Sequence, residues 1–171
     1  MRYHNITKDD MKNGDGLRVV LWVAGCSHCC KECQNPITWD PDGGLVFDEN
    51  AKREIFDQLD KSYISGITFS GGDPLHPANR SAVYALSCEI KEKYPNKTQW
   101  LYTGYSWEEI FKEPIIANLD VVIDGEFKIE LKDNTLMWKG SSNQKVIDVK
   151  KTVSSDNPGM PVLYCADYNK L

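Results

Sequence analysis

Short apolar runs alternate with amphipathic segments along the 171 residues of the chain. Apolar side chains at helical spacing predict two helices, one over residues 49–60 and one that opens at Pro77 or Asn79. Two further segments, residues 145–149 and 161–165, are strand candidates. The clearest strand candidates are apolar and rich in β-branched residues, which is typical of strands buried on both faces. They are residues 17–23 (LRVVLWV), 64–70 (ISGITFS), 98–103 (TQWLYT) and 119–124 (LDVVID).

This alternation of strands and helices predicts the fold class. Strands that are linked by helices pair in parallel through right-handed crossovers, so we expect an α/β protein with a mainly parallel sheet. A closed eight-stranded barrel usually needs about 250 residues, so we expect a partial, open barrel of about five to six strands. Ser106 and Glu109 form a capping-box pattern that predicts a further short helix. We expect a single domain over residues 1–171, with residues 151–171 as a candidate C-terminal extension.

Composition and charge exclude several classes of protein. Charged residues make up 26% of the chain, the net charge is −5, and no stripe of lysine and arginine is present. We therefore expect neither nucleic acid nor a membrane surface as a partner. The N-terminus lacks the apolar core of a signal peptide, and no run approaches the roughly 18 apolar residues of a membrane span. A cytoplasmic, reducing location follows, where clustered cysteines are more often metal ligands than disulfides.

Four of the six cysteines lie within eight residues, directly after the first predicted strand. Cys26, Cys30 and Cys33 have the spacing C-x3-C-x2-C, with which three thiolates can hold a four-iron cluster and leave one iron open to a small molecule. The same run contains two zinc-knuckle spacings, and a cysteine is often only a small buried residue. No second pair of cysteines or histidines follows that would complete a zinc cage. The spacing alone leaves open an iron–sulfur site, a zinc site, and inert or redox-active cysteines.

Polar, glycine-containing turns follow the predicted strands at their carboxyl ends. Ligands of parallel α/β sheets bind beyond these ends, so the cysteine loop should face the turns that follow the other strands. Glycine lets the backbone approach a ligand closely, and a carboxylate can hold an ammonium or hydroxyl group. Any single turn is also compatible with an ordinary tight connection. The turns in question are Gly71 to Pro74, Thr103 to Tyr105 and Asp124 to Glu126.

Several motifs in the chain resemble those of a known family. The cysteine spacing, followed by Gly71-Gly72-Asp73-Pro74 after the second predicted strand, is similar to that of the radical S-adenosylmethionine enzymes. Within that superfamily, residues 1–150 resemble the anaerobic ribonucleoside-triphosphate reductase activating proteins. The motifs that carry this closer resemblance are NGDGLR (13–18), SGGDPLHP (70–77), WLYTGY (100–105), VIDGEF (122–127) and WKGSSNQ (138–144).

The resemblance implies a cluster, a co-substrate and a protein partner. Cys26, Cys30 and Cys33 would ligate a 4Fe–4S cluster whose open iron binds S-adenosyl-L-methionine. Reductive cleavage of that molecule would produce a radical that abstracts a hydrogen from a glycine of the anaerobic ribonucleotide reductase large subunit. An electron donor such as reduced flavodoxin would supply the electron. Two alternatives are an activase of another glycyl-radical enzyme and a non-catalytic zinc-binding interaction module.

The resemblance also implies contacts to S-adenosylmethionine from the turns around the cluster. The predicted contacts are Gly71, Gly72 and Asp73 for the methionine amino group, Glu32, Cys33 and Gln34 for the adenine, and Thr103, Gly104 and Asp124 for the ribose and carboxylate. For Ser141, Ser142 and Asn143, turn chemistry and ligand contact are equally good interpretations. We expect Cys29, which is extra to the motif, to be dispensable, and His28 not to be a ligand.

Overall fold

A computed structural model describes residues 1–166 of the chain. These residues form one seven-stranded sheet with the order β3-β1-β2-β4-β5-β6-β7. The strands are β1 (Arg2–Asp10), β2 (Leu17–Val23), β3 (Leu45–Val46), β4 (Ile64–Gly71), β5 (Thr98–Tyr102), β6 (Val121–Asp124) and β7 (Lys145–Asp148). The α-helices are α1 (Glu49–Leu59), α2 (Arg80–Lys93), α3 (Trp107–Ile110) and α4 (Val149–Val153), and short 3-10 helices span Pro36–Thr38, Pro114–Asn118 and Ile129–Leu131.

The centre of the sheet is parallel, and both edges are antiparallel. The strands β2, β4, β5 and β6 run parallel to one another, as the four clearest apolar runs predicted. The strands β1 and β3 at one edge and β7 at the other pair in the antiparallel direction. The expectation of about five to six mainly parallel strands is therefore corrected to an open, mixed sheet of seven strands.

Connection length and polarity explain this difference. Residues 11–16 alone join β1 to β2, and so short a link can connect only antiparallel neighbours, because a parallel crossover needs about a dozen residues or more. Residues 125–144 join β6 to β7 with no α-helix among them. The sequence of β1, RYHNITKDD, is mostly polar, and Ile6 is its one buried residue. It therefore lacks the apolar run by which the central strands were predicted.

Strand alternation gives the two faces of the sheet different chemistry. Side chains such as Val19, Leu21 and Phe69 face α1 and α2 and belong to the main hydrophobic core. The alternate positions point to the opposite face, which we call the cavity face. It carries Arg18, Trp22, Ser70, Trp100 and Tyr102.

Side chains cap the starts of α1 and α3 but not the start of α2. The Asp48 side chain accepts hydrogen bonds from two backbone amides in the first turn of α1, which is the expected action of an N-cap aspartate. Ser106 and Glu109 form the predicted capping box at the start of α3. Asn79 precedes α2 but makes no side-chain cap bond. Its amide nitrogen instead donates to the carbonyls of Ala24 and Asp73.

The segment after α4 returns along the outer edge of β7. Residues 161–165, predicted as a sixth strand, form a single bridge between Leu163 and Ile147 and are not a regular strand. Part of the candidate extension, residues 167–171, lies outside the described residues. None of the helices within residues 1–166 is long and apolar enough to cross a membrane.

Candidate functional site

The loop that carries the cysteines follows β2 directly and is closed at its base by backbone hydrogen bonds. Gly25 has a φ of 105°, which favours glycine, and its N–H donates to the Thr38 carbonyl at 2.7 Å. The N–H of Cys26 donates to the carbonyl of Trp39 at 3.0 Å. These bonds fix the direction in which the chain leaves β2 just before the first cysteine.

The cysteine loop borders a cavity of about 220 Å³ beyond the carboxyl ends of the parallel strands. Cys26, Cys30 and Cys33 all line this cavity. Cys29 is not among the lining residues, and its side chain is exposed. The structure thus brings three of the clustered cysteines together with the strand-end turns and leaves the fourth outside. The turns after β4, β5 and β6 contribute Gly71, Gly72, Asp73, Thr103, Gly104 and Gly125 to the lining.

Asp73 is the centre of a hydrogen-bond network at the cavity wall. Its side chain is nearly inaccessible, with 1% of the residue exposed. The carboxylate accepts from the N–H of Leu75 at 2.8 Å, from the N–H of Gly104 at 3.0 Å and from the hydroxyl of Thr103 at 3.0 Å. Its Oδ2 also lies 2.8 Å from His28 Nε2. One carboxylate therefore holds together the turns after β4 and β5 and the cysteine loop.

His28 connects the cysteine loop to two other turns. Its Nε2 contacts Asp73, and its Nδ1 lies 3.1 Å from an oxygen of Glu126, which follows β6. The imidazole also packs edge-on against Tyr105, with ring centroids 4.7 Å apart. The hydrogen bond to Asp73 raises the pKa of His28 above its usual value. His28 is thus a bridging residue between carboxylates.

Asn79 joins the end of β2 to the turn after β4 through its side-chain amide. This residue is fully buried, and its Nδ2 donates to the carbonyl of Ala24 at 2.8 Å and to the carbonyl of Asp73 at 3.0 Å. Backbone bonds add to this junction, because the N–H of Asp73 donates to the Gly25 carbonyl at 2.8 Å. The base of the cysteine loop is therefore held by a buried amide that the sequence interpretation did not select.

Two of the predicted site residues do not line the cavity. Glu32 is exposed, with a φ of 58°, whereas its neighbour Gln34 does line the cavity. Asp124 is buried, but its carboxylate accepts from the backbone N–H groups of Trp107 and Lys145, both at 2.9 Å. Its visible role is to hold α3 and the start of β7 against the end of β6.

The segment 141–144 shows turn chemistry. The hydroxyl of Ser141 accepts from the N–H of Lys128 at 3.2 Å, and the amide of Asn143 donates to the Glu126 carbonyl at 2.8 Å. Gln144, which lines the cavity, donates through Nε2 to the Gly125 carbonyl at 2.9 Å. These bonds fold the connection between β6 and β7 into one wall of the cavity.

Sequence interpretation missed several residues that line the cavity. Trp22 and Tyr102 point into it from β2 and β5, and their alternation with core residues along each strand was the signal that could have identified them. Asn13, Phe127 and Gly140 also line it. These three lie in irregular segments, where no periodicity indicates which side chain points inward.

The chemistry of the three thiols fits an iron–sulfur cluster. Partial burial raises the pKa of Cys26 to about 11 and also raises the pKa of Cys30, so these thiols are protonated at neutral pH until a metal displaces the proton. A structural zinc site needs four side chains that converge on one ion, and residues 1–166 contain no group of even three Cys, His, Asp or Glu side chains placed to hold one. In a cluster, each thiolate binds a different iron, so thiols that line one cavity without converging on a point suffice.

Comparison with protein families agrees with this chemistry. The family model of a 4Fe-4S single cluster domain matches residues 12–147. That range includes the cysteine loop and the turns that line the cavity. The match therefore places the chain among iron–sulfur proteins with a single-cluster domain.

Relatives identify the family within this class. An anaerobic ribonucleoside-triphosphate reductase-activating protein of Enterobacteria phage T4 is 42% identical over 146 residues, covering 85% of this chain and 93% of the relative. The proteins of the same name from Haemophilus influenzae and Escherichia coli K12 are 38% and 39% identical and cover 84% and 85% of this chain and 96% and 97% of their own lengths. The chain belongs to the family of anaerobic ribonucleoside-triphosphate reductase-activating proteins.

Proposed function

We propose that this protein activates anaerobic ribonucleotide reductase by generating a glycyl radical on the reductase large subunit. The reaction would be a reductive cleavage of S-adenosyl-L-methionine at a 4Fe–4S cluster held by Cys26, Cys30 and Cys33. The observation that supports this function best is the placement of these three thiols in one cavity with the turns that follow β4 and β5. The names of the relatives support the choice of reductase as the target.

In this proposal, the residues of the chain bind and orient the reactants. The thiolates of the three cysteines anchor the cluster, and a bound cluster supplies one-electron reduction of the S-adenosylmethionine sulfonium. The network around Asp73 and His28 keeps the cysteine loop in register with the neighbouring turns. No side-chain acid or base is required, because the cofactors carry the difficult chemistry.

We propose that backbone groups make most of the contacts to S-adenosylmethionine. Both carboxylate oxygens of Asp73 already accept hydrogen bonds, so the backbones of Gly71 and Gly72 are the better partners for the methionine amino group. Gln34 and Gly104, which both line the cavity, would contact the adenosine. The contacts predicted for Glu32, Cys33, Thr103 and Asp124 remain predictions.

The proposal extends to the partners and the location of the protein. A donor such as reduced flavodoxin would reduce the cluster, and neither nucleic acid nor a membrane would take part. We propose a cytoplasmic location, where a reducing environment keeps thiols free for metal.

Anaerobic reconstitution followed by assays of radical formation tests this function. We expect a brown protein with about four irons per chain that cleaves S-adenosylmethionine when reduced. It should also produce a glycyl-radical signal in electron paramagnetic resonance when mixed with the reductase large subunit. A colourless protein that binds one zinc would support the interaction module and refute the proposal. Cleavage without a signal on the reductase, but with one on another glycyl-radical enzyme, would correct the partner.

The cysteine assignment has its own matched control. Serine at Cys26, Cys30 or Cys33 should abolish cluster binding and cleavage, whereas Cys29→Ser should retain both. Loss of the cluster in Cys29→Ser to the same degree would show that the ligand set is wrong.

A further inference from the structure

The last described residues form a segment that the proposed function does not use. We call residues 158–166 the C-terminal strap; they lie beyond the range matched by the family model. Two backbone hydrogen bonds attach the strap to the outer edge of β7. The N–H of Asp148 donates to the Val162 carbonyl at 2.9 Å, and the N–H of Tyr164 donates to the Val146 carbonyl at 2.8 Å. The strap therefore has a defined position on the sheet.

Tyr164 reaches from the strap across the cavity face. Its ring packs against Trp100, with centroids 5.2 Å apart at an interplanar angle of 73°, and against Trp138, with centroids 5.7 Å apart. Its hydroxyl lies 3.1 Å from Asp15 Oδ2 and donates to it. Burial raises the pKa of Tyr164 to about 12, so the hydroxyl remains a donor at neutral pH. Tyr164 thus links the edge of β7 to the connection between β1 and β2.

The contact at Asp15 leads to the wall of the cavity. Asp15 lies in the connection 11–16, and its carbonyl accepts from the buried guanidinium of Arg18 at 3.0 Å. Asn13, in the same connection, lines the cavity, and its carbonyl accepts from the Thr68 hydroxyl at 2.7 Å. Because Arg18 and Thr68 are bonded to each other at 2.8 Å, Asp15 and Asn13 are held by one network. The hydrogen bond from the Tyr164 hydroxyl to Asp15 connects this network to the strap.

We propose that Tyr164 is a positioning residue for the cavity. By holding Asp15, it keeps the connection 11–16 in place and Asn13 at the cavity wall. This inference rests on the proposed function in one respect, namely that S-adenosylmethionine binds in this cavity. Loosening the connection weakens binding of that molecule and leaves the chemical step unchanged, because Tyr164 is not among the residues that line the cavity.

Hydrogen–deuterium exchange of the metal-free protein tests the structural part of the proposal. Tyr164→Ala removes the ring and the hydroxyl, and Tyr164→Phe removes the hydroxyl alone. Leu163→Ala is the matched control, since Leu163 is the neighbour of Tyr164 in the strap and is 61% exposed. We expect amides of residues 11–16 to exchange at least about threefold faster in Tyr164→Ala, the size of effect expected for loss of one hydrogen bond. Exchange equal to that of Leu163→Ala would overturn the proposal.

Kinetics of S-adenosylmethionine cleavage by the reconstituted holoenzyme tests the functional part. We expect Tyr164→Ala to raise KM about threefold or more with kcat within about twofold, which is the signature of lost binding. Tyr164→Phe and Asp15→Ala each remove the hydrogen bond between the two residues, so both should raise KM. Asp15→Asn keeps an acceptor oxygen, and its KM should stay close to that of the wild type. A lowered kcat at unchanged KM would refute the positioning role. If the wild-type holoenzyme cleaves no S-adenosylmethionine, the proposed function fails, and the exchange experiment still decides the role of Tyr164.

Discussion

Replacement of Asp73 by alanine should strongly lower the free energy of unfolding of the metal-free protein. The carboxylate is 1% exposed and accepts hydrogen bonds from the turns after β4 and β5. Alanine fits the space but offers no acceptor. The donors that faced Asp73 would then remain buried and unpaired, which costs more than the bonds themselves contributed.

The contacts around Asp73 set the size of the effect. The N–H groups of Leu75 and Gly104 lose an acceptor at 2.8 and 3.0 Å, and the Thr103 hydroxyl loses one at 3.0 Å. A buried donor left unpaired costs about 1–3 kcal/mol. The hydroxyl can rotate toward another acceptor whereas the backbone amides cannot, so we expect a total loss of about 3–5 kcal/mol. Asp73→Asn keeps one acceptor oxygen and should lose about half as much.

Urea unfolding of the metal-free protein, followed by circular dichroism at constant pH, measures this loss. Asp156→Ala is the matched control, because Asp156 is exposed and its removal should change the free energy of unfolding by no more than about 0.5 kcal/mol. If Asp73→Ala costs less than about 1 kcal/mol, the network does not hold the turns together. The carboxylate would then be free to serve a ligand, as the sequence interpretation supposed.

Three further predictions concern the cysteine loop and its base. Cys29→Gly should raise the free energy of unfolding by about 1 kcal/mol, since Cys29 has a φ of 50° that glycine adopts without strain; a loss of stability in thermal unfolding would contradict this. Asn79→Ala removes two buried hydrogen bonds and should lower the free energy of unfolding by about 1–3 kcal/mol. It should also lower the iron content after reconstitution, and a wild-type iron content would argue against a role for Asn79 at the base of the loop. Burial raises the folded-state pKa of Cys26 from 9.0 to about 11, so the thiol ionises at a lower pH in the unfolded chain than in the folded protein. The free energy of unfolding should therefore be constant below pH 9 and fall as the pH rises from 9 toward 11. Cys26→Ser should flatten that part of the stability curve, which unfolding at a series of pH values will show.

The parts of the fold that could be predicted are those with strong local signals. The central parallel strands are buried on both faces, so their apolar runs marked them almost to the residue. The edge strand β1 carries one buried residue, Ile6, and its pairing is decided by the short connection that follows it. That information is not contained in the hydrophobic pattern of the strand.

The candidate site was predictable to a similar extent and for a similar reason. The rule that ligands bind beyond strand ends selected the cysteine loop and the turns that line the cavity. It could not foresee how side chains are used there, because the partners are distant in sequence. His28 meets Asp73 and Glu126, and Asp73 meets Gly104. Only the three-dimensional arrangement shows that these groups are hydrogen-bonded to one another.

The use of the acidic residues indicates what kind of chemistry the cavity can perform. Asp73 and Asp124, the buried carboxylates at the strand ends, both accept hydrogen bonds from backbone amides of neighbouring turns. With these oxygens occupied, the cavity offers a ligand its thiols, uncharged polar side chains such as Gln34 and Tyr102, and the backbone of glycine turns. The imidazole of His28 also lines the cavity, but both of its nitrogens contact carboxylates. A cavity whose carboxyl and imidazole groups are engaged in this way is poorly suited to general acid–base catalysis, which needs such a group free to exchange a proton with the substrate. It is well suited to hold a cluster and a co-substrate in fixed relative positions, which is the requirement of a reaction whose electron comes from the metal.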